Sequence, residues 1–174
     1  MTSQIVLDTE TTGLESRDHR VIEIGCIEMR DRRFVGEQRW YLNPDRDSDP
    51  GALEVHGLTT AFLADKPRFS QIVDELVSLL RGAEIIIHNA PFDVGFLDAE
   101  FQRAGRPERV AQLGKVTDTV PMAKKLHPGQ RASLRNTQNR RLQAQLGLPH
   151  YLRINPDTTF DSAPGNSRPG AAAE

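Results

Sequence analysis

The chain has 174 residues, 37% hydrophobic and 26% charged, with a net charge of −2. That length is enough for one domain with a proper core, and the composition is ordinary for a globular protein. The near-neutral charge argues against a passive nucleic-acid coat, which needs a basic field, but not against an enzyme that grips phosphate through metal ions. The single cysteine, Cys26, lies within an apolar run, so no disulfide framework can form and a core thiol in a reducing compartment is expected. No apolar run approaches about 18 residues, and no basic-then-apolar leader precedes Ile5, so a cytoplasmic protein without membrane contact is expected.

The first predicted element is a buried strand at Ile5-Val6-Leu7, followed at once by Asp8 and Glu10. Side chains two apart on a strand share a face, roughly 6–7 Å apart. Two carboxylates so placed suit a hard cation such as Mg²⁺ or Mn²⁺, which takes oxygen ligands and substrate phosphate. Solvated acids at a strand end are the plainer alternative. Thr11, Thr12 and Gly13 then turn the chain, and Gly13 is expected to let a substrate pass close to the backbone.

Glu15 to Arg20 is polar and predicted as loop. Val21–Glu28 and Phe34–Leu42 are predicted strands joined tightly at Asp31-Arg32-Arg33, which makes a three-stranded antiparallel meander. Asn43 to Gly51 is rich in Pro, Asp and Gly and reads as loop, and so does Val55–Thr59 with His56. That histidine fits either a substrate contact or an ordinary surface position. Thr59 or Thr60 can cap a short helix. Lys66–Leu80 is a helix by spacing, opened by Pro67 and ended by Gly82.

Glu84–His88 is a short strand of the kind covered on both faces. A turn and a helix follow, with Asp93 in the first helical turn. Open α/β sheets place ligands at such strand ends, but an acid there also suits the helix dipole. Val110–Leu113 is a candidate to close the hairpin with that helix. Val116–Asp118 is a brief strand ending in a helix cap, and Thr119–Leu126 is the helix. The predicted fold class is α/β: an antiparallel meander followed by parallel strands, flanked by helices.

Asp8-Thr9-Glu10-Thr11-Thr12-Gly13 resembles the first motif of the DEDD 3′→5′ exonuclease superfamily, and His88-Asn89-Ala90-Pro91-Phe92-Asp93 its second. Val55-His56-Gly57-Leu58 and Val116-Thr117-Asp118 also fit, in the order of the epsilon-type proofreading exonucleases of bacterial DNA polymerase III. The resemblance spans about Gln4 to Leu134 and implies a ribonuclease H-like fold. It implies two divalent cations, Mg²⁺ or Mn²⁺, held by Asp8, Glu10 and Asp93. It implies substrate contacts from Asp8, Thr9, Glu10, Thr11, Gly13, Leu14, His56, Asn89 and Phe92, with Leu14 wedged against the bases. It implies a single-stranded DNA 3′ end as substrate, and the polymerase III catalytic alpha subunit and core as partners.

The sequence departs from that family in two places. Gly51 stands where the family often carries a glutamate. No histidine followed five positions later by aspartate occurs between Ser133 and Glu174: His150 is followed by Asn155, between Pro149 and Pro156, and Asp157 and Asp161 are misspaced. The general-base histidine and a fourth acid are therefore not found. The expected organisation is an exonuclease domain over 1–134 with its C-terminal part incomplete, a divergent segment over 135–154, and a disordered Pro/Gly/Ser/Ala-rich tail over 155–174. Two other functions stay open: an exoribonuclease of the same superfamily, and an inactive module binding nucleic-acid 3′ ends or a polymerase subunit.

Overall fold

The computed structural model describes residues 3–31, 33–126 and 128–129. The expectations for residues 130–174, including the missing third motif and the tail, lie outside the described residues. β1 (Gln4–Thr11) is the strand on which the sheet is built. β2 (Val21–Arg30) pairs with it antiparallel, and β3 (Arg33–Tyr41) pairs antiparallel with β2. β4 (Glu84–Ile87) lies parallel to β1, and β5 (Lys115–Asp118) parallel to β4. The sheet order is β3-β2-β1-β4-β5. The predicted change from antiparallel meander to parallel strands is therefore the observed topology.

One face of the sheet presents Ile5, Leu7, Ile24, Cys26, Ile85 and Ile87 to one core. α3 (Phe69–Leu80) and α4 (Ala90–Arg103) pack against that face. α3 buries Phe69, Ile72, Val73, Leu76, Val77 and Leu80, the helical stripe predicted for this segment. Phe69 and Phe101 meet edge to face, 5.6 Å apart. Val6, Ile27, Met29 and Ile86, on the alternate positions, are buried as well. Cys26 is buried, and burial pushes its thiol pKa well up, as a core thiol requires.

Strand ends shift by one or two residues, and three helices differ more from expectation. α3 begins at Phe69 rather than Lys66, because the Gln71 side chain accepts from the Arg68 N–H at 2.8 Å and caps the helix there. α4 begins at Ala90, before the apolar pattern starts, with Asp93 in its first turn as predicted. The largest change is α1 (Pro50–His56), where loop was expected. Pro50 pre-sets the first helical position, and Gly57 closes the helix in the left-handed conformation with its N–H on Leu53 O at 2.8 Å. The Pro, Asp and Gly that suggested a loop are the punctuation of a short helix.

α2 (Thr60–Leu63) is capped by Thr59, whose hydroxyl accepts from the Phe62 N–H at 3.2 Å. α5 (Val110–Leu113) precedes β5, and α6 (Thr119–Leu126) follows it. Asp118 caps α6 as predicted, accepting from Val120 N–H at 3.0 Å. No described helix is long and apolar enough to cross a membrane.

The loop after β1 is pinned from α4. Glu100, 1% exposed, takes two bonds from the Arg20 guanidinium at 2.7 and 2.9 Å, and one from Val21 N–H at 3.2 Å. Arg103 reaches over the same carboxylate to Ser16 O and Arg17 O. Truncating one member of a buried pair strands the other, at a cost of about 3–5 kcal/mol when both are buried. Arg20 is partly exposed and Glu100 is not, so Arg20→Ala, which strands the buried carboxylate, is expected to cost about 2–4 kcal/mol in urea unfolding and Glu100→Ala, which strands a half-solvated guanidinium, distinctly less. Equal costs would show that burial of Glu100 is not what sets the penalty.

Candidate active site

The site begins where two strands part. β4 pairs with β1 only as far as Val6↔Ile86, whereas β1 continues against β2 through Glu10↔Glu23. Beyond Val6 the β4 side of β1 has backbone groups that must bond elsewhere. Asp93 supplies the partner. Its Oδ1 accepts from the Thr9 N–H at 3.1 Å and from the Thr9 hydroxyl at 2.6 Å. Thr9 shares the α4 side with Ile5 and Leu7, so alternation turns Asp8 and Glu10 to the opposite face.

Burial, and after it the Asp8 charge, raise the Asp93 carboxyl pKa to about 7, against the two Thr9 bonds that favour ionisation. Burial likewise raises Asp8 to about 6, against a backbone bond at Thr9. Two acids this close, each holding its proton too tightly, mark a place where a positive charge would be favourable.

The opposite face carries a second acid row. Glu10, Glu23 and Tyr41 are register partners across three strands, and so are Asp8, Gly25 and Arg39. Glu23 is buried, with Arg39 Nη1 3.3 Å from its carboxylate. Arg39 also donates to the Tyr41 hydroxyl at 3.4 Å. Gly25 offers no side chain between Asp8 and Arg39, which leaves the acid row open there.

A cavity of about 450 Å³ adjoins these acids. Thr9, Glu10, Thr11, Gly13 and Leu14 form one wall; Asp49, Gly51, Ala52, Val55 and His56 form the other; Phe92 lies between. Leu14 and Val55 are 80% and 59% exposed, so the cavity has apolar lips. His56 is buried, and its Nδ1 accepts from the Leu58 N–H at 2.9 Å. The neutral ring therefore carries its proton on Nε2 and acts there as a donor, not a base. Phe92 packs on Phe96 with ring centroids 4.9 Å apart.

Seven of the predicted site residues thus meet around the cavity, and Asp8 and Asp93 adjoin it through Thr9. Asn89 does not join the lining. It is exposed, holds a left-handed backbone at φ 62°, and gives its N–H to Asp118 Oδ1 at 3.1 Å. The room beside Gly13 is also not the substrate's: a Cβ there would lie 2.3 Å from the His19 ring. Sequence reading missed Asp49 and the helix behind it. The Asp49-Pro50 pair was the available signal, an acid followed by proline at a helix start.

Among the described residues, no three Asp, Glu, His or Cys side chains converge into a complete cation cage. The donors of Asp8, Glu10 and Asp93 are carboxylate oxygens, and Asp8 and Asp93 both hold their protons tightly. That fits a hard cation completed by water and substrate oxygens.

The sheet order, with acids at the end of β1 and on the first turn of α4, defines a ribonuclease H-like exonuclease fold. The chain belongs to the exonuclease family: the family described as "Exonuclease" (RNase T type) matches residues 5–151. Members of the DEDD type are metal-dependent. The DNA polymerase III subunit epsilon of Pasteurella multocida (strain Pm70) is 46% identical over 139 residues, covering 76% of this chain and 55% of that protein. A solved structure of exonuclease X in complex with 5′ overhanging duplex DNA is 26% identical, with TM-score 0.61, covering 93% of this chain and 78% of that one. The zinc-bound E. coli ExoI–ssDNA complex shares the fold at 20% identity and TM-score 0.66, covering 74% of this chain and 31% of that one. The chain spans about half the length of the curated relatives it matches.

The raised carboxyl groups make stability depend on pH in a stated direction. Without added cation, the folded chain binds more protons than the unfolded chain between about pH 4 and pH 7. This pair therefore stabilises the folded state fully at low pH, and its contribution is lost as pH rises through that window. Urea unfolding in chelator is expected to show Asp93→Asn gaining stability relative to wild type from about pH 5 to about pH 8. A constant difference between the two proteins would show that the Asp93 carboxyl is not raised.

Proposed function

We propose that this chain is a 3′→5′ exonuclease of the epsilon type. It removes nucleotides one at a time from single-stranded DNA 3′ ends, and in the cell it proofreads beside a DNA polymerase III catalytic subunit. The observation that carries the reading is the Thr9–Asp93 contact at 2.6 Å, which brings the carboxylate of α4 to the two acids of β1. The cavity beside them, about 450 Å³, falls within the roughly 300–1,000 Å³ of small-ligand sites and suits one nucleotide unit rather than a duplex. The relatives named subunit epsilon, and the DNA named in the two structures, support the substrate class.

Asp8, Glu10 and Asp93 are the residues that would hold Mg²⁺ or Mn²⁺. Bound there, such cations supply an activated water and charge for the departing oxygen of an in-line displacement. The chain's own residues do the rest. The apolar lip at Leu14 wedges against the terminal base, and Phe92 presents its ring to the strand. His56 donates from Nε2 to a substrate oxygen. Thr11 gives its hydroxyl proton to Gly13 O at 2.7 Å and so stiffens the wall against which the nucleotide lies. Frayed, mismatched termini reach a site of this size more readily than paired ones, which is proofreading in outline.

A second reading is favoured by one sequence observation, the absence of a histidine with an aspartate five positions later between Ser133 and Glu174. A positioned base contributes typically 10²–10⁴-fold, so a chain without one can bind 3′ ends and turn over slowly or not at all. The test is release of nucleotides from 3′-labelled single-stranded DNA with Mg²⁺ or Mn²⁺, beside the same-sequence RNA. Wild type is expected to degrade the DNA, with Asp8→Ala reduced at least about a hundredfold. Faster release from RNA would make it an exoribonuclease; cation-dependent binding with no release would make it a binding module.

A further inference from the structure

We propose that His19 is a positioning residue for substrate binding: its imidazole is a strut that holds the two walls of the cavity at the separation a single nucleotide requires. The inference rests on the 3′-end reading above. It concerns a residue outside the acids and outside the cavity lining.

The observations are geometric. The His19 side chain is only 12% exposed, although it comes from a polar loop. Nδ1 lies 3.0 Å from the hydroxyl of Thr12, a fully buried residue between the acids of β1 and the Gly13 turn. That hydroxyl also accepts from the Arg20 N–H at 3.0 Å. With the Thr12 proton given to Nδ1, the imidazole presents Nε2–H to the opposite wall. There it faces Asp49 Oδ2 at 3.4 Å. Asp49 immediately precedes α1 and lines the cavity, and its N–H donates to Thr12 O at 2.7 Å.

The imidazole is also clamped against Gly13. A Cβ on Gly13 would lie 2.3–2.5 Å from three ring atoms, closer than real Cβ contacts come. Gly13 has an ordinary backbone conformation, so glycine is required there for the ring and not for φ. One face of Gly13 thus meets His19 while the residue lines the cavity. The β1 turn and α1 share no strand pairing, and their spacing depends on the few groups that bridge them. Among those groups His19 touches both walls with its side chain. Its removal leaves the acids in place but lets the walls part, which weakens substrate binding more than the chemical step.

The experiment uses the full chain as wild type, His19→Ala, His19→Gln, Gly13→Ala and the Gly13→Ala/His19→Ala double variant, each checked for folding by circular dichroism. Binding of a 5′-fluorescein oligothymidylate is titrated in Ca²⁺, and 3′ nucleotide release is measured in Mn²⁺. His19→Ala is expected to raise Kd and KM about tenfold with kcat within about threefold, the loss of one positioned contact. His19→Gln, which keeps an amide between Thr12 and Asp49, is expected to recover most of that loss. Gly13→Ala is expected to bind poorly, and the double variant to bind about tenfold tighter than it, because the added methyl takes the space the ring vacates.

Wild-type affinity in a folded His19→Ala, or a Gly13→Ala defect indifferent to His19, overturns the strut while leaving the 3′-end reading intact. A wild-type chain that neither binds nor degrades the oligonucleotide overturns the 3′-end reading and this role with it. A wild type that binds without turnover still decides the strut, through Kd alone.

Discussion

The bond between Asp93 and Thr9 is the constraint on which the site depends. A parallel strand that stops early leaves the edge of its neighbour unpaired, and the unpaired N–H has to find an acceptor. Here the acceptor is a carboxylate from the first turn of the next helix, and the Thr9 hydroxyl adds a second bond to the same oxygen. One solution therefore serves two purposes. It satisfies the backbone where the sheet opens, and it fixes α4 so that its acid stands beside Asp8. The position of Asp93 on α4 also suits the helix dipole, so local and tertiary preferences agree.

The cost of this arrangement is concentrated negative charge. Asp8 and Asp93 raise their protonation range together, while Glu10 and Glu23 stand directly opposite each other across two strands. Like charges at facing positions destabilise a sheet. Arg39 supplies a fixed positive charge to Glu23 from the third strand. The buried acid of the row thus stands where the chain places its arginine.

A second network holds the walls of the cavity. Glu100 draws Arg20 onto α4, and Arg103 of the same helix holds the loop that follows β1. Arg20 also reaches Pro44 O at 3.3 Å, and Arg46 bonds Asp18 O, so the loop before α1 is stitched to the loop after β1. His19, with Thr12 and Asp49, lies in the same seam. The cavity walls, β1 and α1, are therefore joined by loops whose backbone carbonyls are tied down by long cationic side chains. Ties of this kind fix the two walls relative to each other.

The sheet and its acids were legible from the chain alone, because their signals are local. Ile5-Val6-Leu7 reads as buried strand, Asp8 and Glu10 share a face by strand period, and Asp93 falls one turn into a helix by spacing. The motifs then identify the family, since their residue types and order are held in short stretches. α1 was hidden because seven residues are too few for periodicity to outweigh Pro and Gly, and its capping signal at Asp49-Pro50 is a single pair. Only tertiary structure decided that β4 ends short of the acids, that Asp93 closes on Thr9, and that Gly13 makes room for His19. Each is a contact between groups far apart in sequence or on different elements, set by where strands stop and how a loop folds back, and no local pattern in residue types encodes that distance.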